Sequence, residues 1–142
     1  MQKVLITDDD ARMRQLVRQI VAGFASEICE ASDGAEAVAV CAAERPDWVL
    51  MDLRMKPIDG LRATAKIKAH FPETRIAIVS QFDDDTLRVK AAQAGACAYL
   101  LKENLHELPR ILAGEGAQTH FGQADGAVVP PPVKPSKQNQ KQ

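Results

Sequence analysis

The sequence predicts an α/β sandwich, in which five parallel strands form a sheet doubly wound by helices on both faces. Three observations lead there. Five short apolar runs recur between residues 4 and 101, each ending at a polar residue or turn. Helical segments separate them, and alternation of strand and helix is the pattern of βαβ units. The clearest runs are continuous in polarity, as strands covered on both faces must be. Right-handed crossovers then place helices on both faces of the sheet.

The elements follow in order. Val4-Leu5-Ile6-Thr7 is the first strand and ends at Asp8-Asp9-Asp10. Met13, Leu16, Val17, Ile20, Val21 and Phe24 then make one apolar stripe at helical period. Asp10 can cap this first helix, and Gly23 lies near its end. Glu27 to Ala31 is a short second strand. Asp33 with Glu36 resembles a capping box that opens the second helix, with Ala35, Val38, Ala39 and Ala42 on its apolar side. Pro46 stops that helix.

Trp48-Val49-Leu50-Met51 runs directly into Asp52 and forms the third strand, around which the rest is arranged. Lys56-Pro57 and Asp59-Gly60 make a turn-rich connection to a third helix. Its inner side is Leu61, Thr64, Ala65 and Phe71, and Pro72 ends it. Ile76-Ala77-Ile78-Val79 is the fourth strand and ends at Ser80. Asp83-Asp84-Asp85-Thr86 offers caps for a helix through about Ala94, with Leu87, Ala91 and Ala94 inward and Gly95 as terminator. Cys97 to Leu101 is the fifth strand and runs into Lys102. The last helix covers roughly Asn104 to Ala113. Pro109 is tolerated only in its first turns, so it is expected to be short or irregular.

The chain has 142 residues, enough for one domain with a real core. From Gly114 the periodicity breaks at Gly114-Glu115-Gly116, Asp125-Gly126, Pro130-Pro131-Pro132 and Pro135. Residues 1–113 are therefore expected to form the folded domain. Residues 114–142 are expected to form a mostly disordered tail, with a polyproline stretch at 130–135. The net charge is −1, which gives the whole chain no basic field for nucleic acid or an anionic membrane. The apolar runs are strand-length, far short of the roughly 20 residues that span a bilayer. No signal-peptide pattern precedes the first strand, so a cytoplasmic protein is expected. Cys29, Cys41 and Cys97 lack metal-ligand spacing and read as small hydrophobes. There is no internal repeat, no Walker loop, no dinucleotide fingerprint and no HExxH.

Four strand ends carry chemistry. Asp8 and Asp9 follow the first strand, Asp52 the third, Ser80 the fourth and Lys102 the fifth. In a parallel sheet these ends share one edge, the edge at which ligands bind in open α/β folds. If the first and third strands are neighbours where strand order reverses, their carboxylates converge. Clustered carboxylates repel one another unless a cation sits among them. Mg2+ suits such a site, because it takes oxygen ligands and leaves positions for phosphate oxygens. Asp52 can then act as a carboxylate nucleophile and form an acyl phosphate. Lys102 supplies a positive charge and Ser80 a hydroxyl for the phosphoryl oxygens. Singly, each residue has a duller role as helix cap, turn residue or solvated charge. The order in which they occur, each directly after a buried strand, is what argues for a phosphoryl site.

These pieces resemble the receiver domain of two-component response regulators over about residues 1–113. The matching segments are Val4-Leu5-Ile6-Thr7-Asp8-Asp9, Met51-Asp52-Leu53-Arg54-Met55 with Asp59-Gly60, Ile78-Val79-Ser80, and Ala94-Gly95-Ala96 leading to Tyr99-Leu100-Leu101-Lys102. The resemblance implies a flavodoxin-like sheet of order 2-1-3-4-5. It implies that Asp9 and Asp52 ligate Mg2+ (or Mn2+) with the backbone carbonyl of Arg54, while Asp8 acts mainly through water. Asp52 would take its phosphoryl group from a sensor histidine kinase or phosphotransfer protein. Ser80 and Tyr99 would be the switch pair, Tyr99 turning inward on phosphorylation. The face of the fourth helix, fifth strand and fifth helix would then change shape for a downstream protein partner. Such a bacterial receiver is a phosphoacceptor switch rather than an enzyme, and is a monomer or a phosphorylation-dependent dimer.

Three features depart from the usual pattern. Pro57 falls one place late after Met55, and Gln81 with Phe82 behind it replaces a small residue after Ser80. With Arg54, that position influences phosphoryl lifetime in the family, so an altered lifetime is expected. Lys102-Glu103 lacks the common proline, as in the subfamily whose receivers usually precede a helix-turn-helix domain. No such domain is read after Ala113, so a stand-alone receiver is expected. The alternative is a DNA-binding regulator using Lys134, Lys137 and Lys141 of the tail, although three scattered lysines bind phosphates only weakly and salt-sensitively. A third class, an acid-phosphatase-like hydrolase, is disfavoured because Arg54 stands where its second Asp would be.

Overall fold

A computed structural model describes residues 2–55 and 59–114 of the chain. The Lys56-Pro57 turn and the tail from residue 115 onward lie outside the described residues. The elements are β1 (Gln2–Thr7), α1 (Ala11–Val21), β2 (Ala25–Ala31), α2 (Gly34–Glu44), β3 (Trp48–Asp52), α3 (Gly60–His70), β4 (Arg75–Ser80), α4 (Asp85–Ala94), β5 (Ala98–Leu101) and α5 (Leu108–Leu112). A stretch of 3-10 helix, Lys102–Glu107, joins β5 to α5. All strand pairs are parallel, in the order β2-β1-β3-β4-β5. This is the doubly wound, flavodoxin-like sheet the sequence predicts. Strand order reverses between β1 and β3, where Thr7 lies opposite Met51. Asp52 pairs with Val79 and Ser80 with Leu101, so the carboxyl ends of β3, β4 and β5 are level.

Successive strand residues point to opposite faces, and each face has its own core. Leu5, Val49, Met51, Ile78 and Tyr99 face Ala37 and Cys41 of α2, Ala63 and Ile67 of α3 and Ala91 of α4. Val4, Ile6, Leu50, Val79 and Leu100 face Val17 and Val21 of α1 and Leu108, Ile111 and Leu112 of α5. Four aspartates start the helices. Asp10, Asp33, Asp59 and Asp84 each accept a backbone N–H of the first turn, from Arg12, Glu36, Arg62 and Leu87 at 2.8–3.0 Å. Glu36 reaches back to the N–H of Ser32, one residue earlier than a capping box requires. Gly95 closes α4 at φ 113°, a left-handed conformation that glycine adopts without steric cost.

Several inner faces differ from expectation. In α1 the buried residues are Val17 and Val21, whereas Leu16 is 44% and Phe24 43% exposed. The helix ends at Val21, so the chain has already turned toward β2 when Phe24 is reached. In α2 the buried residues are Gly34, Ala37 and Cys41, while Ala35, Ala39 and Ala42 are exposed. This helix is small and apolar on most sides, so its periodicity selects no face. In α3, Ala63, Thr64 and Ile67 are buried and Ala65 is exposed. In α4, Ala91 and Ala92 are buried together with Arg88. The C-terminal helix is short, with Pro109 in its first turn, where a missing N–H costs nothing. All three cysteines are free thiols, Cys41 buried and Cys29 and Cys97 partly so.

Candidate functional site

The site lies where strand order reverses. The ladder of β1 continues one bond past the strand, with Asp8 N–H donating to the Ala31 carbonyl at 3.1 Å. The turn that follows is held from two sides. Asp8 Oδ1 accepts from the N–H of Asp10 at 2.8 Å, and Arg14 Nη1 donates to the Asp8 carbonyl at 2.6 Å. Arg14 Nε meets Glu30 Oε1 at 2.8 Å, and Arg18 Nε meets the other oxygen of Glu30 at 2.8 Å. Residues of α1 and β2 thereby fix the backbone that presents Asp8 and Asp9.

Asp52 arrives from β3. Gly60, the first residue of α3, packs against the end of that strand and donates its N–H to the Leu53 carbonyl at 2.9 Å. A Cβ at Gly60 would overlap the Asp52 carbonyl oxygen, so this approach requires glycine. Asp8 and Asp52 are buried and Asp9 is exposed. Each of the three offers a carboxylate oxygen, and these oxygens lie within 4.8 Å of one another. Lys102 Nζ sits 3.1 Å from Asp8 Oδ2 and 3.2 Å from Asp52 Oδ1.

The electrostatics follow from that crowding. Burial, and then the neighbouring Asp8 charge, push the Asp52 carboxyl up to about 6, with Lys102 opposing both. Burial alone would lower the Lys102 ammonium, but Asp52 and Asp8 together outweigh it and hold it above its ordinary value. The donor set contains oxygen only and carries more negative charge than one lysine balances. That suits a hard divalent cation such as Mg2+ rather than a metal that prefers nitrogen or sulfur.

Ser80, buried at the end of β4, accepts the N–H of Phe82 on its hydroxyl at 2.9 Å. Ser80, Gln81, Phe82 and Arg54 line a cavity of about 240 Å³ together with Asp8, Asp9, Asp52 and Lys102. The predicted residues at the four strand ends thus share one cavity. Arg54 stacks its guanidinium 4.5 Å above the Phe82 ring, a contact that sequence reasoning did not anticipate. Beside it lies a larger cavity of about 690 Å³, lined by Met55, Leu61 and Leu87, that shares Asp9, Leu53, Arg54 and Phe82 with the first. Its walls are more apolar, and the acidic cluster opens on the smaller one.

Tyr99, the expected partner of Ser80, is wholly buried on the inner side of β5. Its buried hydroxyl has an acceptor, the Phe82 carbonyl at 2.6 Å, which removes the cost of the inward position. Burial pushes this phenol above its ordinary range, with the Ser80 hydroxyl opposing. Sequence reasoning also missed Arg88, Arg14 and Glu30. The acidic residues flanking Arg88 were visible, but its burial depends on the β5 surface beneath it.

Comparison with known proteins identifies the family. Residues 4–113 match the family model of the response regulator receiver domain, and the chain belongs to that family. Receivers of this family are phosphoacceptor switches of two-component systems, and they bind Mg2+ in an acidic pocket. Over 104 residues the chain is 44% identical to protein-glutamate methylesterase/protein-glutamine glutaminase 3 of Anaeromyxobacter dehalogenans, covering 70% of this chain and 30% of that protein. Over 106 residues it is 38% identical to the uncharacterized transcriptional regulatory protein YhcZ of Bacillus subtilis, covering 71% and 48% respectively. A LuxR-family two-component response regulator from Aurantimonas sp. SI85-9A1 superposes with a TM-score of 0.75 at 26% identity, covering 85% of this chain and 89% of that one. The chain thus spans less than half the length of these two curated relatives. Among the described residues no helix is long and apolar enough to cross a membrane.

Proposed function

We propose that this receiver accepts a phosphoryl group on Asp52 from a sensor histidine kinase or phosphotransfer protein, in a reaction that requires Mg2+ or Mn2+. We further propose that it works in the cytoplasm as a switch with no substrate turnover beyond its own phosphorylation and dephosphorylation. The observation that carries this reading is the convergence of the Asp8, Asp9 and Asp52 carboxylates with Lys102 bridging two of them.

The chemistry assigns each residue a task. Asp9 and Asp52, with the Arg54 carbonyl, would hold the cation, and Asp8 would act through a bound water. When bound, the cation neutralises charge on the carboxylates and on the incoming phosphoryl oxygens. An oxygen of Asp52 forms the new bond to phosphorus as the bond to the donor's histidine nitrogen breaks. The electron pair stays on that nitrogen, which takes up a proton from water. Lys102 then exchanges its contact with Asp52 for a phosphoryl oxygen, and the Ser80 hydroxyl donates to another. The added charge biases the β4–α4 loop and Tyr99, and the α4-β5-α5 face passes the change to a protein partner. A phosphorylation-dependent dimer through that face is one form such a partner can take.

Intact-protein mass after incubation with acetyl phosphate and Mg2+ tests this reading. One phosphoryl group is expected on the parent and none on Asp52→Asn or after chelation. No adduct on the parent, together with no binding of beryllofluoride, would overturn it. The transcriptional relative favours a second reading, in which the switched surface governs a DNA-contacting unit. Phosphorylation-dependent retardation of DNA by the full chain would support that reading. The tail lysines first considered for such contact lie outside the described residues.

A further inference from the structure

Arg88 is 1% exposed, and is the bulkiest of the fully buried side chains. A guanidinium keeps its charge at every working pH, so burying one demands compensation. Two carboxylates and a ring contribute to it. Arg88 Nη1 lies 2.7 Å from Asp83 Oδ1 and 3.6 Å from Asp85 Oδ1. Its Cζ lies 4.9 Å from the centre of the Tyr99 ring. Both carboxylates are largely exposed, Asp83 at 72%, so the cation faces water through its acids and the core through the ring.

The neighbours of Arg88 lead back to the phosphoryl pocket. Asp83 belongs to the loop between β4 and α4, and so does Phe82, whose carbonyl accepts the Tyr99 hydroxyl. The Phe82 N–H is held by Ser80 Oγ. Asp83, Arg88, Tyr99, Phe82 and Ser80 therefore form one chain of contacts from the buried side of α4 to the pocket wall.

We propose that Arg88 is a positioning residue of the switch: stacked on Tyr99 and paired with Asp83, it holds Tyr99 inward and, through Phe82, keeps Ser80 at the wall of the Asp52 pocket. The inference rests on the phosphoacceptor reading above. Without the guanidinium, Tyr99 loses the partner on its ring face and Asp83 loses its counter-charge. The loop then populates arrangements in which Ser80 is not in place. A phosphoryl group, or a mimic of one, must first select the competent fraction, and its apparent affinity falls by that fraction. A residue that merely glued α4 to the sheet would lower the melting temperature and leave this affinity alone.

The chain has a single tyrosine, so fluorotyrosine labelling yields one fluorine resonance, from Tyr99 itself. The protein is titrated with beryllofluoride in Mg2+ while that resonance is followed. Arg88→Met keeps most of the aliphatic volume and removes the charge and the plane. It is expected to move or broaden the ligand-free signal and to raise the titration midpoint at least about fivefold. Asp83→Asn, an exposed change, should act in the same direction and more weakly. A folded Arg88→Met with the parent's signal, and a midpoint within about twofold of the parent's, would overturn the proposal. Should Arg88→Met not fold, an unchanged midpoint in Asp83→Asn overturns it instead. A parent that shows no response to beryllofluoride and gains no phosphoryl group refutes the phosphoacceptor reading itself, whereas a responsive parent with unaltered variants refutes only the role of Arg88.

Discussion

The two walls of the pocket are built on different physics. On one side, the loop after β1 is held through the Asp8 carbonyl by Arg14, itself locked to Glu30. On the other, the loop after β4 is held through the Phe82 carbonyl by the Tyr99 hydroxyl beneath Arg88. In each wall a backbone carbonyl is anchored by a side chain from another element. The first clamp is a partly exposed ion network, with Glu30 shared between two arginines. The second is a buried neutral hydroxyl on a half-buried loop carbonyl, with a buried cation behind it. An exposed network tolerates loosening, because water replaces what is lost. A buried contact does not, because nothing replaces it. The acidic wall should therefore respond to substitution in graded fashion, and the β4–α4 wall more nearly as a unit.

Lys102 bridges Asp8 of the acidic wall to Asp52 at the end of β3, and its removal should have the largest effect. Lys102→Met leaves Asp8 and Asp52 facing each other with no ammonium between them. The rate of phosphorylation by acetyl phosphate should fall on the order of a hundredfold, the scale for loss of one preorganised charge at a reacting oxygen. The phosphorylation time course followed by intact mass reads this directly. A rate within a few-fold of the parent would mean that the carboxylates balance their charge without help from Lys102.

Arg14→Met comes next and probes the acidic wall alone. It frees the Asp8 carbonyl while leaving every carboxylate in place, so the Mg2+ dissociation constant should rise several-fold, by roughly 1 kcal/mol of binding. Glu30→Gln should weaken binding less, and the double variant should do little more than Arg14→Met, because the two residues act through one contact. Calorimetric titration with Mg2+ checks both. Additive effects would break the comparison, since they would show that Glu30 reaches the site by a route other than Arg14.

Tyr99→Phe probes the other wall. It removes one buried hydroxyl and leaves the half-buried Phe82 carbonyl without its 2.6 Å donor. Unfolding in denaturant should show a loss of about 1–2 kcal/mol. The loss should be smaller in an Arg88→Met background if the two residues act as a unit.

How much of this was legible beforehand depends on the kind of interaction. Trp48 to Asp52 is buried throughout, and its continuous apolar pattern marked it as a central strand. Asp8, Asp9, Asp52, Ser80 and Lys102 could be placed on one edge because a parallel sheet leaves no other arrangement of its strand ends. The inner face of α2 could not be read, because Ala35 and Ala37 differ in burial but not in chemistry. Nor could Arg88, whose residue type argues for exposure and whose burial depends on the Tyr99 ring of a separate strand. Arg14 and Glu30 stand on separate elements, and only the β1–β2 register, with Ile6 opposite Glu30, brings them together.

The smallest effect expected is on pH dependence, and it sharpens the contrast between the walls. Burial tends to raise the Glu30 carboxyl, but Arg18 and Arg14 outweigh it and hold the group below its ordinary value. A carboxyl lowered in the folded state favours folding while it is ionised. That contribution is complete above the ordinary glutamate range and is lost as pH falls through the lowered value. Because the network is partly exposed, the contribution is modest. Thermal unfolding of the parent and of Glu30→Gln, compared from neutral pH downward, should show the two curves converging in acid, since the variant has no such charge to lose. Tyr99→Phe should run parallel to the parent over the same range, as the phenol stays protonated throughout. Curves for Glu30→Gln that stay parallel to the parent would mean that the acidic wall is held by the Arg14 contact to the Asp8 carbonyl alone, with Glu30 a bystander.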